Sequence, residues 1–251
     1  MGGYPVDLSP LRGGIAFLTR LPVDADEQAW RRFQEVPAAF PAVGYLVGAI
    51  AAVPFFLLDG EPAAAAYLLA LLAVVGITHL DGVADLGDAA AVHAGERRRE
   101  VLKDTTVGVG AVVAVAAVIV WLILGAVAVA RLPPLAAVGI VVAAEVGAKL
   151  GMATVACLGT ASHDGLGASF TRSAEPALLA GPLLVALPAV VLAWPSPAAL
   201  FAVLAGPAVA VGMVRWADRA LGGVNGDVFG AVNELGRVLG LYLGVIAWTL
   251  F

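Results

Sequence analysis

The chain has 251 residues, 61% hydrophobic and 13% charged, with a formal net charge of −5 and a mean hydropathy of +0.95. Soluble domains are about a quarter charged, so this composition excludes an ordinary soluble globule. The small acidic balance gives no support to nucleic-acid binding, and Cys157, the single cysteine, allows no internal disulfide.

Residues 1–40 are mixed, with Arg12, Arg20, Arg31 and Arg32 among several acids. Residues 11–22 read as a short amphipathic helix on a membrane surface, stopped by Pro22. Their apolar stretch is short and broken by Arg20, unlike a cleavable leader.

Seven apolar segments follow, at about 41–59, 63–80, 107–130, 134–158, 176–194, 197–215 and 237–251. Runs of this length predict helices, because backbone polar groups in lipid must be satisfied within each span. They do not alternate with the period of membrane strands. The expectation is an all-α, polytopic membrane bundle of about seven transmembrane helices. It forms one domain over residues 1–251, with 1–40 as an interfacial segment and 41–251 as the bundle. Pro188 and Pro207 predict kinks. On this segmentation residues 1–40 carry four Lys or Arg, 81–106 four, 159–175 one and 215–237 three, against Arg131 alone on the other side. That bias places the N-terminus and the polar loops in the cytoplasm.

The densest polar stretch is His79-Leu80-Asp81-Gly82-Val83-Ala84-Asp85-Leu86-Gly87-Asp88. On a helix Asp81, Asp85 and Asp88 share one face, where like charges repel unless a cation lies between them. A hard divalent ion such as Mg²⁺ takes oxygen ligands, which makes these three the metal candidates. A solvated acidic helix end is the plain alternative. His79 falls on the opposite face from Asp81, as a packing residue or as support for a ligand.

Downstream, Lys103-Asp104 is followed by Thr105, Thr106, Gly108 and Gly110 at a predicted helix start. Amides at a helix N-terminus favour phosphate, and Lys103 supplies a point charge. The arginines at 97–99 suit a cytoplasmic loop or anionic lipid. Glu145 and Lys149, four apart in an apolar run, read either as a buried ion pair or as the polar wall of a site. Residues 162–172 form a glycine-containing loop with His163, Asp164, Gly165, Gly167 and Arg172. Asp227 and Glu234, seven apart, share a helical face with Gly230 between them and mirror the first acidic set. Two acidic sets on one side suit two metal ions, or one ion and a substrate group. No P-loop, dinucleotide fingerprint, zinc spacing or serine-nucleophile motif is present.

Taken in order, the 79–88 motif, Lys103-Asp104 with Gly108 and Gly110, Gly165-Leu166-Gly167 with Phe170, and Gly226-Asp227 with Gly230-Ala231 and Glu234 resemble the cobalamin synthase family, the adenosylcobinamide-GDP ribazoletransferases. Residues 17–22 and 41–44 fit as well. Ala89, Thr105, Lys149 and residues 160–162 depart from the family's pattern. The resemblance implies an integral enzyme of the cell (inner) membrane with cytoplasmic site loops. A ribose hydroxyl of α-ribazole, or of its 5′-phosphate, attacks the cobinamide-linked phosphorus of adenosylcobinamide-GDP. GMP leaves, and Mg²⁺ is required. Carried over residue by residue, Asp81, Asp85, Lys103, Asp104 and Asp227 are catalytic, and Asp81, Asp85 and Asp88 hold metal. Gly108, Gly110, Gly165, Gly167 and Glu234 contact the bound groups. The partners implied are these two substrates and the bilayer, with room for a homo-oligomer.

Two other readings stay open. A CDP-alcohol phosphotransferase also uses an Asp-Gly motif, but its later aspartates would fall at Arg99 and Lys103. A transporter would place ionisable residues at the bilayer midplane, where only Glu145 and Lys149 qualify.

Overall fold

The computed structural model describes residues 7–92, 98, 102 and 106–251. They form an all-helical, polytopic membrane bundle. Two short helices come first, α1 (Ser9–Leu18) and α2 (Glu27–Glu35). Asp26 caps α2 by accepting from the Ala29 amide at 2.8 Å. The amphipathic pair buries one aromatic face: Phe17, Trp30 and Phe33 meet Phe170 with centroids 5.9, 5.8 and 5.2 Å apart.

The bundle begins with α3 (Ala39–Ala52), continued by α4 (Pro54–Leu57). Next come α5 (Gly60–Val75) and α6 (Thr78–Ala91), bent by 95° at their junction. Gly76 makes the bend with φ +75, a conformation that costs glycine nothing. Then follow α7 (Val109–Val129), α8 (Pro134–Leu158) and the short α9 (Leu166–Thr171). A 3₁₀ turn (Pro176–Leu179), α10 (Ala180–Ala186) and a second 3₁₀ turn (Leu187–Val191) lead to α11 (Ala198–Ala220) and α12 (Gly226–Leu250).

Helix α8 is the axis. Over its most apolar window it is 89% buried, whereas α7 is 28% buried and turns Val112, Val113, Val120 and Trp121 outward. Small residues explain the difference, since they let backbones approach in a medium that offers no hydrophobic drive between helices. A Cβ on Gly44 of α3 would stand 2.8 Å from the Val146 backbone, and one on Gly151 of α8 would stand 2.8 Å from the Gly206 carbonyl of α11. Gly139 lies against Leu192, Gly147 against Val203 and Gly151 against Gly206, so α8 and α11 run in the same direction. The chain between them therefore returns along the bundle through 176–191, where the Tyr45 hydroxyl donates to the Val185 carbonyl at 3.0 Å.

Among the described residues five helices are long and apolar enough to cross a membrane: 39–57, α7, α8, α11 and α12. The bent α5–α6 pair makes a sixth where it counts as one span. Two of the seven sequence segments thus take other forms. The 63–80 run is cut at Gly76, and 176–194 is a succession of short helices around Pro182 and Pro188. The 237–251 run is the end of a helix that starts at Gly226, because its polar first half folds inward rather than forming a loop.

Candidate functional site

The site is built where α6 lies across the start of α12. Gly82 faces Asp227, its missing Cβ 2.7 Å from the Asp227 carbonyl, and Gly230 faces the His79 carbonyl at 2.9 Å. Any larger side chain at either glycine would push the helices apart. The crossing brings Asp81 and Asp85 of one helix beside Asp227 of the other. Asn225 caps α12, accepting from the Val228 amide at 3.2 Å, and its side-chain amide donates to Asp227 Oδ2 at 2.6 Å.

Asp81 is exposed, and Asp85 and Asp227 are half-buried. Among the described residues none of the three has an ion-pair partner. Helix α6 is not one of the five spans, and there burial pushes the Asp85 carboxyl up to about 6, helped by the charges of Asp227, Asp81 and Asp88. Among the described residues no three His, Cys, Asp or Glu side chains converge into a ready metal cage.

Asp88 faces the start of α7. Its carboxylate accepts from the Gly108 amide at 2.7 Å and the Ala111 amide at 2.9 Å, closing the N-terminus of α7. Gly110 packs against the Gly87 carbonyl in the same crossing. Two of the amides expected to face phosphate are thus turned to Asp88, whose negative charge suits the helix N-terminus. Lys103 and Asp104 lie outside the described residues.

The 159–172 loop sits beside the start of α12. Val224 donates its amide to the Thr160 carbonyl at 2.8 Å and accepts from the Ser162 amide at 2.9 Å. Gly167 allows this contact, with its missing Cβ 2.8 Å from the Asn225 Cα. Gly165 opens α9. A polar cavity of about 280 Å³ is lined by Gly159, Thr160, His163, Asp164, Thr171 and Arg172 among others. Arg172 and Asp164 pair at its exposed rim.

Glu234 does not reach this surface. It is buried below Asp227 in an ionic network. Arg237 donates from Nη1 to Glu234 at 2.5 Å, from Nη2 to Glu145 Oε2 at 3.2 Å, and also from Nε to Glu145. Lys149 donates to Glu145 at 2.8 Å. Two acids and two bases therefore neutralise one another, and the Glu145–Lys149 pair is the buried ion pair rather than a site wall. Asn233 joins Glu234 at 3.0 Å and His79 at 3.1 Å. Arg237, read from the sequence as a loop cation, and Asn233 were missed as members of this network. Arg237 falls three residues after Glu234, a spacing that signals the pair once α12 is known to begin at Gly226.

The fold is an all-helical membrane bundle that gathers Asp81, Asp85 and Asp227 at one end, with no ion-pair partner for them among the described residues. Residues 10–246 match the family model described as cobalamin-5-phosphate synthase. The chain is 50% identical to the adenosylcobinamide-GDP ribazoletransferase of Halorubrum lacusprofundi, over 97% of this chain and 99% of the relative. It is 46% identical to the enzyme so named in Haloquadratum walsbyi, over 97% and 99%. It is 58% identical to that of Halobacterium salinarum, over 74% of this chain and 94% of the relative. No solved structure matches. The chain belongs to the cobalamin-5-phosphate synthase family and is a transferase of cobalamin biosynthesis.

Proposed function

We propose that the chain transfers the adenosylcobinamide phosphate of adenosylcobinamide-GDP to α-ribazole or its 5′-phosphate, releasing GMP in a Mg²⁺-dependent reaction. The observation that carries this reading is the meeting of Asp81, Asp85 and Asp227 at the α6–α12 crossing without a basic partner among the described residues. Such a donor set fits a hard cation whose remaining ligands are phosphate oxygens, and so needs no closed protein cage. When bound, Mg²⁺ supplies charge neutralisation to the diphosphate and the departing GMP.

The protein's own part is positioning and proton handling. Asp81 and Asp85 hold the cation and keep the diphosphate at the end of the bundle. Asp227, aimed by Asn225, accepts the proton of the acceptor hydroxyl. The hydroxyl oxygen forms a bond to the cobinamide-linked phosphorus. The bond from that phosphorus to the bridging oxygen breaks, and the electron pair leaves with GMP. Lys103 meets a phosphate oxygen, and Asp104 is a further carboxylate for the proton or the ion. Asp88 acts by fixing the start of α7 against α6 rather than as a ligand. The residues near this end include Arg12, Arg20, Arg31, Arg32 and Arg172, which supports a cytoplasmic orientation in the cell membrane.

A transport reading draws no support, because the charges inside the bundle are closed on one another. The test is GMP release by the purified full chain in lipid nanodiscs. Release from adenosylcobinamide-GDP is expected only with both an α-ribazole acceptor and Mg²⁺ present. GMP formation independent of the acceptor would contradict the reading.

A further inference from the structure

His79 belongs to the acidic motif but has no role in the chemistry above. It is 8% exposed. Its surroundings fix more than its position. Glu234 Oε1 accepts from Asn233 at 3.0 Å, and a carboxylate only accepts, so the amide nitrogen of Asn233 must face it. Turning the amide over would set oxygen against carboxylate. The same Asn233 Nδ2 lies 3.1 Å from His79 Nδ1, nearer than Glu234 Oε1, which stands 3.8 Å from that nitrogen and beyond hydrogen-bond reach. A ring nitrogen that faces a donor is the bare one, so the imidazole carries its proton on Nε2. The chain of constraint runs from Arg237, which holds Glu234, through Asn233 to the tautomer of His79.

His79 also lines a cavity of about 50 Å³ whose walls include Phe17, Phe170, Phe229, Gly226 and Gly230. Gly226 lies on its wall and is one residue from Asp227, the residue assigned to the acceptor hydroxyl. Its volume exceeds the roughly 10–15 Å³ that one water needs. Its aromatic walls offer too few donors for a diphosphate, which calls for several. With the His79 ring and the Thr78 hydroxyl as the polar side chains on an otherwise apolar lining, the pocket suits an uncharged lone pair, such as a hydroxyl oxygen or a ring nitrogen.

We propose that His79 Nε2–H is a hydrogen-bond donor to the ribazole acceptor, with Asn233 and Glu234 as positioning residues that hold the donating tautomer. This assignment rests on the ribazole-transfer reading and names a contact of the same site.

The test varies the acceptor at saturating adenosylcobinamide-GDP and Mg²⁺, using wild type, His79→Gln, His79→Leu and His79→Asn in nanodiscs. Leucine removes the donor. Glutamine returns an N–H near the Nε2 corner, while asparagine returns one near Nδ1. Loss of one neutral hydrogen bond predicts an acceptor KM raised about threefold to tenfold in the Leu and Asn variants, with Gln near wild type. The Mg²⁺ activation constant and the KM for adenosylcobinamide-GDP are expected to stay put, which a merely structural role would not ensure. Asn233→Asp supplies an acceptor instead of a donor, draws the proton to Nδ1, and is expected to behave like His79→Leu with His79 intact. Should the Leu or Asp variant fail to fold, the Gln and Asn pair still decides. Equal acceptor KM in Gln and Asn overturns the proposal while wild-type turnover leaves the transferase reading standing. A wild type with no ribazole-dependent turnover overturns both.

Discussion

Within the bundle, Glu145 and Glu234 are held against Arg237, with Lys149 closing the set, and all four side chains are shut away from solvent. At its end, Asp81, Asp85 and Asp227 crowd one helix crossing with no basic partner among the described residues. Both regions concentrate carboxylates in an apolar chain. They differ in whether the fold supplies the counter-charge. Where it does, the charges fasten α8 to α12. Where it does not, repulsion and burial act together on Asp85, and the deficit remains for a ligand to fill.

Breaking the closed set has the largest expected effect. Arg237→Met leaves Glu145 and Glu234 buried without their shared cation, which costs about 3–5 kcal/mol. The variant is expected to unfold well below wild type in a thermal melt in detergent, or to fail to accumulate. Melting like wild type would show that the network is dispensable.

Opening the other region acts on activity alone. Asp85→Asn is expected to lower turnover about 100-fold at limiting Mg²⁺, with a melting midpoint at or above wild type, because no protein partner is lost and a repelled charge is removed. Asp81→Asn follows in the same direction. A fall in thermal stability matching the fall in turnover would make these residues structural.

Asp88 lies between the two cases, a carboxylate satisfied by backbone rather than by a cation. Asp88→Ala removes the acceptor for two amides at the start of α7 and is expected to cost about 1–2 kcal/mol by thermal unfolding. Asp88→Asn keeps one acceptor oxygen and is expected to lose less.

The smallest effect is on pH dependence. Burial, then the charges of Asp227, Asp81 and Asp88, raise the Asp85 carboxyl to about 6. As pH falls through that value Asp85 takes up a proton and its ligand charge is lost. The Mg²⁺ activation constant is therefore expected to rise below about pH 6, and excess Mg²⁺ to move the acid limb to lower pH. An activation constant flat from pH 5 to 7.5 would remove Asp85 from the cation's ligands.

These contrasts were unequally legible in the sequence. The spacing of Asp81 and Asp85 read directly onto one helix face. Helix periodicity fixes which way a side chain points on its own helix, but not which helix it meets. Glu234 shares a face with Asp227 by spacing, yet two turns of depth separate a solvent edge from a core where Arg237 waits. His79 points away from Asp81 as its spacing says, and that very direction carries it onto Asn233 of α12. The 95° turn at Gly76 and the early start of α12 were hidden for related reasons. A glycine in an apolar run does not announce a positive φ, and a polar helix segment resembles a loop until its partners are known.

A divalent cation together with the diphosphate substrate is expected to complete the carboxylates at the α6–α12 crossing, which have no ion-pair partner among the described residues. Calorimetric titration of Mg²⁺ into the full chain, with adenosylcobinamide-GDP bound and no acceptor present, tests it directly. The prediction is substrate-dependent binding, weakened at least about tenfold in Asp81→Asn and Asp85→Asn while their melting midpoints do not fall below wild type. Mg²⁺ binding equally tight in wild type and both variants would contradict it.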